Sequence, residues 1–95
     1  MDSALRRLPA LLFFRRERCG KSRRMDSLLA WVRVTQKKRL RVVNVDVDRY
    51  PTLVQELHVD EVPSLVLIKD SHVVGRLEGR STGRQIEDLI RRHVA

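Results

Sequence analysis

The sequence predicts an α/β domain in the order β-α-β-α-β-β-α, a mixed four-stranded sheet flanked by helices. Three observations carry this. Apolar or β-branched runs recur at strand length, "ALLFF", "LRVVNVDVD", "LVLIK" and "VVGRLEG". Between them run stripes at helical spacing: Met25, Leu28, Leu29 and Val32, then Ile86, Leu89 and Ile90. The connections set strand direction. A helix-length link between the first two runs implies parallel strands with a right-handed crossover, and the short link between the last two implies an antiparallel hairpin.

Each element has a local cause. Residues 1–9 form an N-terminal extension, polar and frayed at its start. Ala10 to Phe14 is a continuous apolar run, as in a strand covered on both faces. A helix follows from about Ser22 to Lys37, and Lys37-Lys38-Arg39 suits its negative C-terminal end. A strand runs from about Leu40 to Val47. Pro51 fits the first turn of a short helix reaching Leu57. Asp70-Ser71-His72 reads as the hairpin turn, and the strand after it is half exposed, at a sheet edge. Ser81 or Thr82 can cap the last helix, whose buried stripe extends toward His93.

Composition bounds the function. Ninety-five residues make one domain, residues 1–95, with a single modest core. No apolar run approaches the roughly 18–20 residues of a membrane helix, and Leu8 to Phe14 lacks the features of a signal peptide. No membrane partner and a cytoplasmic location are therefore expected. The net charge is +8, with sixteen arginines to four lysines. That raises nucleic acid as a partner. However, Phe13, Phe14, Trp31 and Tyr50 do not alternate with basic residues as a stacking platform requires, so nucleic acid is not the expected partner. The single cysteine excludes an intrachain disulfide. His58, His72 and His93 are scattered, so no metal site is expected. No motif calls for a cofactor, and the chain is expected to act as a monomer.

The stretch "LLFFRRERCGKSRRMDSLLAWV", Leu11 to Val32, holds the candidate chemistry. Gly20-Lys21-Ser22 matches the end of a phosphate-binding loop, but that loop needs a glycine five residues earlier, where Arg15 stands. A thiol site fits better. Cys19 lies just before a helix, whose unpaired N–H groups and positive dipole end favour thiolate. Residues 15–24 add six cations, Arg15, Arg16, Arg18, Lys21, Arg23 and Arg24, against Glu17 alone. The alternative is that Cys19 is a small inert hydrophobe.

With C-G-x-[CS] between a strand and a helix, then "NVDVDRYP", "VDEVPSLVLIKD", a hairpin ending in Gly79 and a final helix, the chain resembles the thioredoxin family from roughly Leu8 to Val94. The 44-residue step from Cys19 to Pro63 matches the family's spacing between nucleophile and cis-proline. The resemblance implies a minimal thioredoxin-like fold with Cys19 as nucleophile. It also implies a cis Val62–Pro63 bond beside Cys19, with Val62's backbone pairing with an extended substrate peptide.

The departures imply altered chemistry. Ser22 stands where the family has its resolving cysteine, Arg18 replaces a tryptophan and Lys21 a proline. Phe13 takes the place of a buried carboxylate, Asn44 that of its lysine partner, and Ser27 that of a helix-kinking proline. The strand and helix that open full thioredoxins are expected to be absent. What remains is a monothiol protein. Cys19 would exchange with a protein disulfide or an acidic low-molecular-weight thiol, Ser22 would donate a hydrogen bond to its sulfur, and Arg18, Gly20, Lys21, Val62 and Pro63 would bind substrate. The competing expectation is a non-catalytic binding module that recognises a peptide or an acidic partner through the same groove.

Overall fold

The first strand, β1 (Ala10–Arg15), sits inside the sheet and shows why its run is apolar on both sides. Leu11 and Phe13 point into one core, Leu12 and Phe14 into another. In this computed structural model the described residues are 8–17 and 20–94, with Lys21 and Ser22 described by their backbone alone.

The remaining elements are α1 (Gly20–Thr35), β2 (Arg41–Asp46), α2 (Pro51–Glu56), β3 (Ser64–Lys69), β4 (His72–Glu78) and α3 (Gly83–Val94). The sheet order is β2-β1-β3-β4. β1 runs parallel to β2 and antiparallel to β3, and β3 runs antiparallel to β4. On one face, Met25, Leu29 and Val32 of α1 and Ile86, Leu89 and Ile90 of α3 pack on Leu11, Phe13, Leu65 and Leu67. On the other face, Leu53 and Val54 of α2 pack against the cluster of Leu12, Phe14, Val45, Val47 and Val66. Both faces of the sheet are thus covered, as the sequence predicts.

The boundaries shift for local reasons. α1 starts at Gly20 and ends at Thr35, so the basic run lies beyond the helix rather than in its last turn. Its chain closes through a further turn in which Arg39 and Leu40 donate to the Gln36 carbonyl. Thr82 caps α3 with Gln85. The Gln85 N–H donates to the Thr82 hydroxyl (3.1 Å), and the Thr82 N–H donates to Gln85 Oε1 (2.8 Å). Ser81 is buried and takes no part in the cap.

α2 ends in a Schellman arrangement. His58 donates to Gln55 O and Val59 to Val54 O, with His58 at φ 55. The hairpin turn consists of Asp70 and Ser71, both at positive φ, between the paired Lys69 and His72. Thus His72 belongs to β4 rather than to the turn. His93 is half-buried at the end of α3's stripe, not fully inside it. Among the described residues no helix is long and apolar enough to cross a membrane.

Candidate functional site

The candidate site lies where β1 runs out and α1 begins. β1 and β2 are parallel, so their C-terminal ends, Arg15 and Asp46, lie side by side in register. The chain then turns into α1, whose first residue, Gly20, follows Cys19 directly. Gly20 is exposed, and among the described residues a Cβ built on it would meet nothing within 4 Å beyond its chain neighbours. The first turn of α1 contains no acidic residue, so nothing acidic within the helix start offsets its positive end. Arg18 and Cys19 lie outside the described residues, as do the side chains of Lys21 and Ser22.

On the β3 side, the Val62–Pro63 peptide bond is cis. Pro63 is buried and Val62 half-buried. The loop is held from below by Ser64, which is 2% exposed and whose hydroxyl donates to the Glu61 carbonyl at 2.6 Å. Beside Val62 a crevice of about 130 Å3 runs between Arg16 and the Asp60–Glu61 pair, floored by Val47 and Val59. Gly79, at φ +77, brings the end of β4 against the Glu61 side chain. A Cβ there would stand 3.3 Å from Glu61 Oε2.

The cation count at the junction is lower in effect than the sequence implies. Arg15 Nη2 donates to Asp26 Oδ2 at 3.0 Å, and Arg16 Nε donates to Asp48 Oδ2 at 3.2 Å. Two of the six basic side chains are therefore engaged by carboxylates. Arg15 also lies 6.0 Å over the Phe13 ring, within cation–π range. Its Nε is buried without a partner among the described residues.

Phe13 is 0% exposed and pairs in register with Asn44 of β2. Where the resemblance places a buried carboxylate, the chain has a phenyl ring sealed into the core. Asp26, Glu61 and Asp48 were not singled out by sequence reasoning. Asp26 pairs with a residue eleven positions away and Asp48 with one thirty-two away, across strand–helix and loop–loop contacts that no local pattern encodes. For Glu61 the available signal was Gly79, whose left-handed backbone marks a close approach.

A four-stranded β2-β1-β3-β4 sheet, helices on both faces and a cis-proline loop at the head of β3 together define the thioredoxin fold. Solved structures agree. The germline-specific thioredoxin Deadhead of Drosophila melanogaster superposes with a TM-score of 0.89 at 18% identity, covering 97% of this chain and 87% of that one. A thioredoxin of Nicotiana alata gives 0.87 at 22% identity, covering 99% and 80%. The thioredoxin family model matches residues 2–92. A thioredoxin-like protein of Synechocystis is 31% identical over 78 residues, 82% of this chain and 74% of that protein. Chloroplastic thioredoxin Y1 of Arabidopsis thaliana is 30% identical over 78 residues, 82% of this chain. The chain spans about half the length of chloroplastic thioredoxins Y1 and Y2, 45% and 49%. The chain belongs to the thioredoxin family.

Proposed function

We propose that this chain is a monothiol thioredoxin-like protein acting through Cys19. The observation that carries the proposal is the start of α1 at Gly20, the residue after Cys19, at the C-terminal end of β1 in a thioredoxin fold. A helix N-terminus with no acidic residue in its first turn favours a thiolate at the residue before it.

The Cys19 thiolate attacks one sulfur of a disulfide. The S–S bond breaks, the distal sulfur leaves as a thiolate and takes a proton from water, and Cys19 is left in a mixed disulfide. Ser22 donates a hydrogen bond that steadies the thiolate, and it cannot resolve the adduct. A second thiol, from a small molecule or another protein, attacks the mixed disulfide and restores Cys19. In this reading Arg18, Gly20, Lys21, Val62 and Pro63 bind the substrate, the basic residues suiting an acidic partner and Val62's backbone pairing with an extended peptide.

The test is intact-mass analysis of the protein after exposure to glutathione disulfide and to a protein disulfide. Wild type is expected to accumulate a 1:1 adduct through Cys19, and Cys19→Ser none. Ser22→Cys is expected to lose most of the trapped adduct and gain weak turnover. Multiple turnover by wild type on a protein disulfide, with no other thiol present, would overturn the monothiol mechanism.

The second reading, a binding module, draws on Phe13. A fully buried phenyl in place of a carboxylate leaves no acid–base group at that position. A Cys19 inert to alkylation at neutral pH, together with peptide binding retained in Cys19→Ser, would favour it.

A further inference from the structure

Away from the start of α1, a cavity of about 200 Å3 lies between α1 and α3 and opens to solvent. The buried Val32, Ile86 and Ile90 line it from within. Trp31, the only tryptophan of the chain, lines it from outside and is 58% exposed. At one end Gly83 of α3 faces Leu28, whose Cδ2 would lie in ordinary contact, 3.5 Å, with a Cβ on Gly83. Gln36, Arg39 and Val94 line the cavity where the two helices end.

Size and lining decide the class of ligand. A cavity of about 150 Å3 lined by aliphatic and aromatic side chains takes a benzene ring. This one has room for an aryl group or a short acyl chain, with the Trp31 ring available to stack on it.

The charges decide the polar end. Glu87 and Arg91 both line the cavity, and they neutralise each other at 3.2 Å. Arg39, which lines the cavity, has no carboxylate within 4.0 Å among the described residues. The carbonyl end of α1 subtracts roughly half a charge there, which the full charge of Arg39 exceeds. We infer that the cleft between α1 and α3 binds a small aryl or short-chain carboxylate, its apolar body against Trp31, Ile86 and Ile90 and its carboxylate at Arg39.

Three probes sharing one apolar body test this: 3-phenylpropanoate, 3-phenylpropanol and 3-phenylpropylamine. Trp31 emission reports occupancy, and methyl chemical shifts of Leu28, Ile86 and Ile90 report location. The carboxylate is expected to bind saturably, about threefold tighter than the alcohol at low ionic strength, with the amine weakest. High salt should compress that order. Arg39→Gln, a change at an exposed position, should bring the carboxylate down to the alcohol's affinity while leaving the methyl shifts of the alcohol unchanged. Equal affinities for all three probes, or shifts elsewhere than the cleft, would overturn the inference. So would Trp31 emission that changes with protein concentration alone, since a second copy would then be the occupant.

Discussion

Gly79→Ala is a sharp probe of the wall opposite α1. Gly79 has φ +77, where an L-residue with a Cβ pays roughly 1–2 kcal/mol. The new Cβ would also meet Glu61 Oε2 at 3.3 Å. That second cost is small, a few tenths of a kcal/mol, because Glu61 is exposed and the contact is with the free end of its side chain. A gain of about 0.4–1 kcal/mol from the stiffer unfolded chain acts in the opposite direction. The balance is a destabilisation of about 1 kcal/mol, which lowers the melting temperature by about 4–8 °C for a domain of this size. Gly79→Asn should cost less, since asparagine tolerates the left-handed region. Denaturant titration of Gly79→Ala, Glu61→Ala and the double variant separates the contributions. The double should equal the sum within about 0.5 kcal/mol. A Gly79→Ala variant as stable as wild type, or an alanine variant more stable than the asparagine one, would refute the backbone argument. A coupling above about 1 kcal/mol would show that the Glu61 contact, not φ, carries the cost.

Thr82→Ala removes one half of the capping box with Gln85 and should cost about 1 kcal/mol by denaturant titration; an unchanged midpoint would mean that the cap is idle. Asp26→Asn leaves the Arg15 guanidinium, whose side chain is 24% exposed, without its carboxylate. With Asp26 itself 40% exposed, the expected loss is about 0.5–1 kcal/mol and shrinks in high salt; a salt-independent loss would point to packing instead. The alkylation rate of Cys19 against pH should show a midpoint below the unperturbed value of about 8.5. A midpoint at or above that value would remove the helix start as an activating feature.

Much of the fold is legible because the chain repeats simple periods. Leu11, Leu12, Phe13 and Phe14 form a short continuous apolar run of the kind a strand buried on both faces carries, and that strand is β1. Met25, Leu29 and Val32 keep helical spacing through α1. What escaped the sequence has physical causes. Gly20 and Lys21 carry no apolar signal, so the true start of α1 preceded its stripe. His58 ends α2 in the left-handed region where glycine would have been the readable cue. β2 proved to be a sheet edge, with Val43 exposed, because no sequence period says which strand lacks a neighbour. At the site, the basic run was legible as composition but not as electrostatics. Its effect depended on Asp26 and Asp48, which only the fold brings to Arg15 and Arg16.

The geometry around Phe13 links that correction to the chemistry. Position 13 faces the core between the sheet and α1, where a carboxylate would need a buried partner or a raised pKa to be tolerated. A phenyl ring there removes that requirement and frees position 44 of β2 from supplying a cation; Asn44 stands exposed. The charge reappears two residues along the strand, as Arg15 over the Phe13 ring and paired with Asp26 on α1. That pair ties the end of β1 to α1 at a part-exposed position. The strand end is thus braced by an ion pair at the rim, while the interior offers no acid–base group at position 13. The proposed monothiol exchange, in which the thiol reacts once and waits for an outside thiol, needs neither group, because the step it omits is the one that a second cysteine and a buried acid would serve.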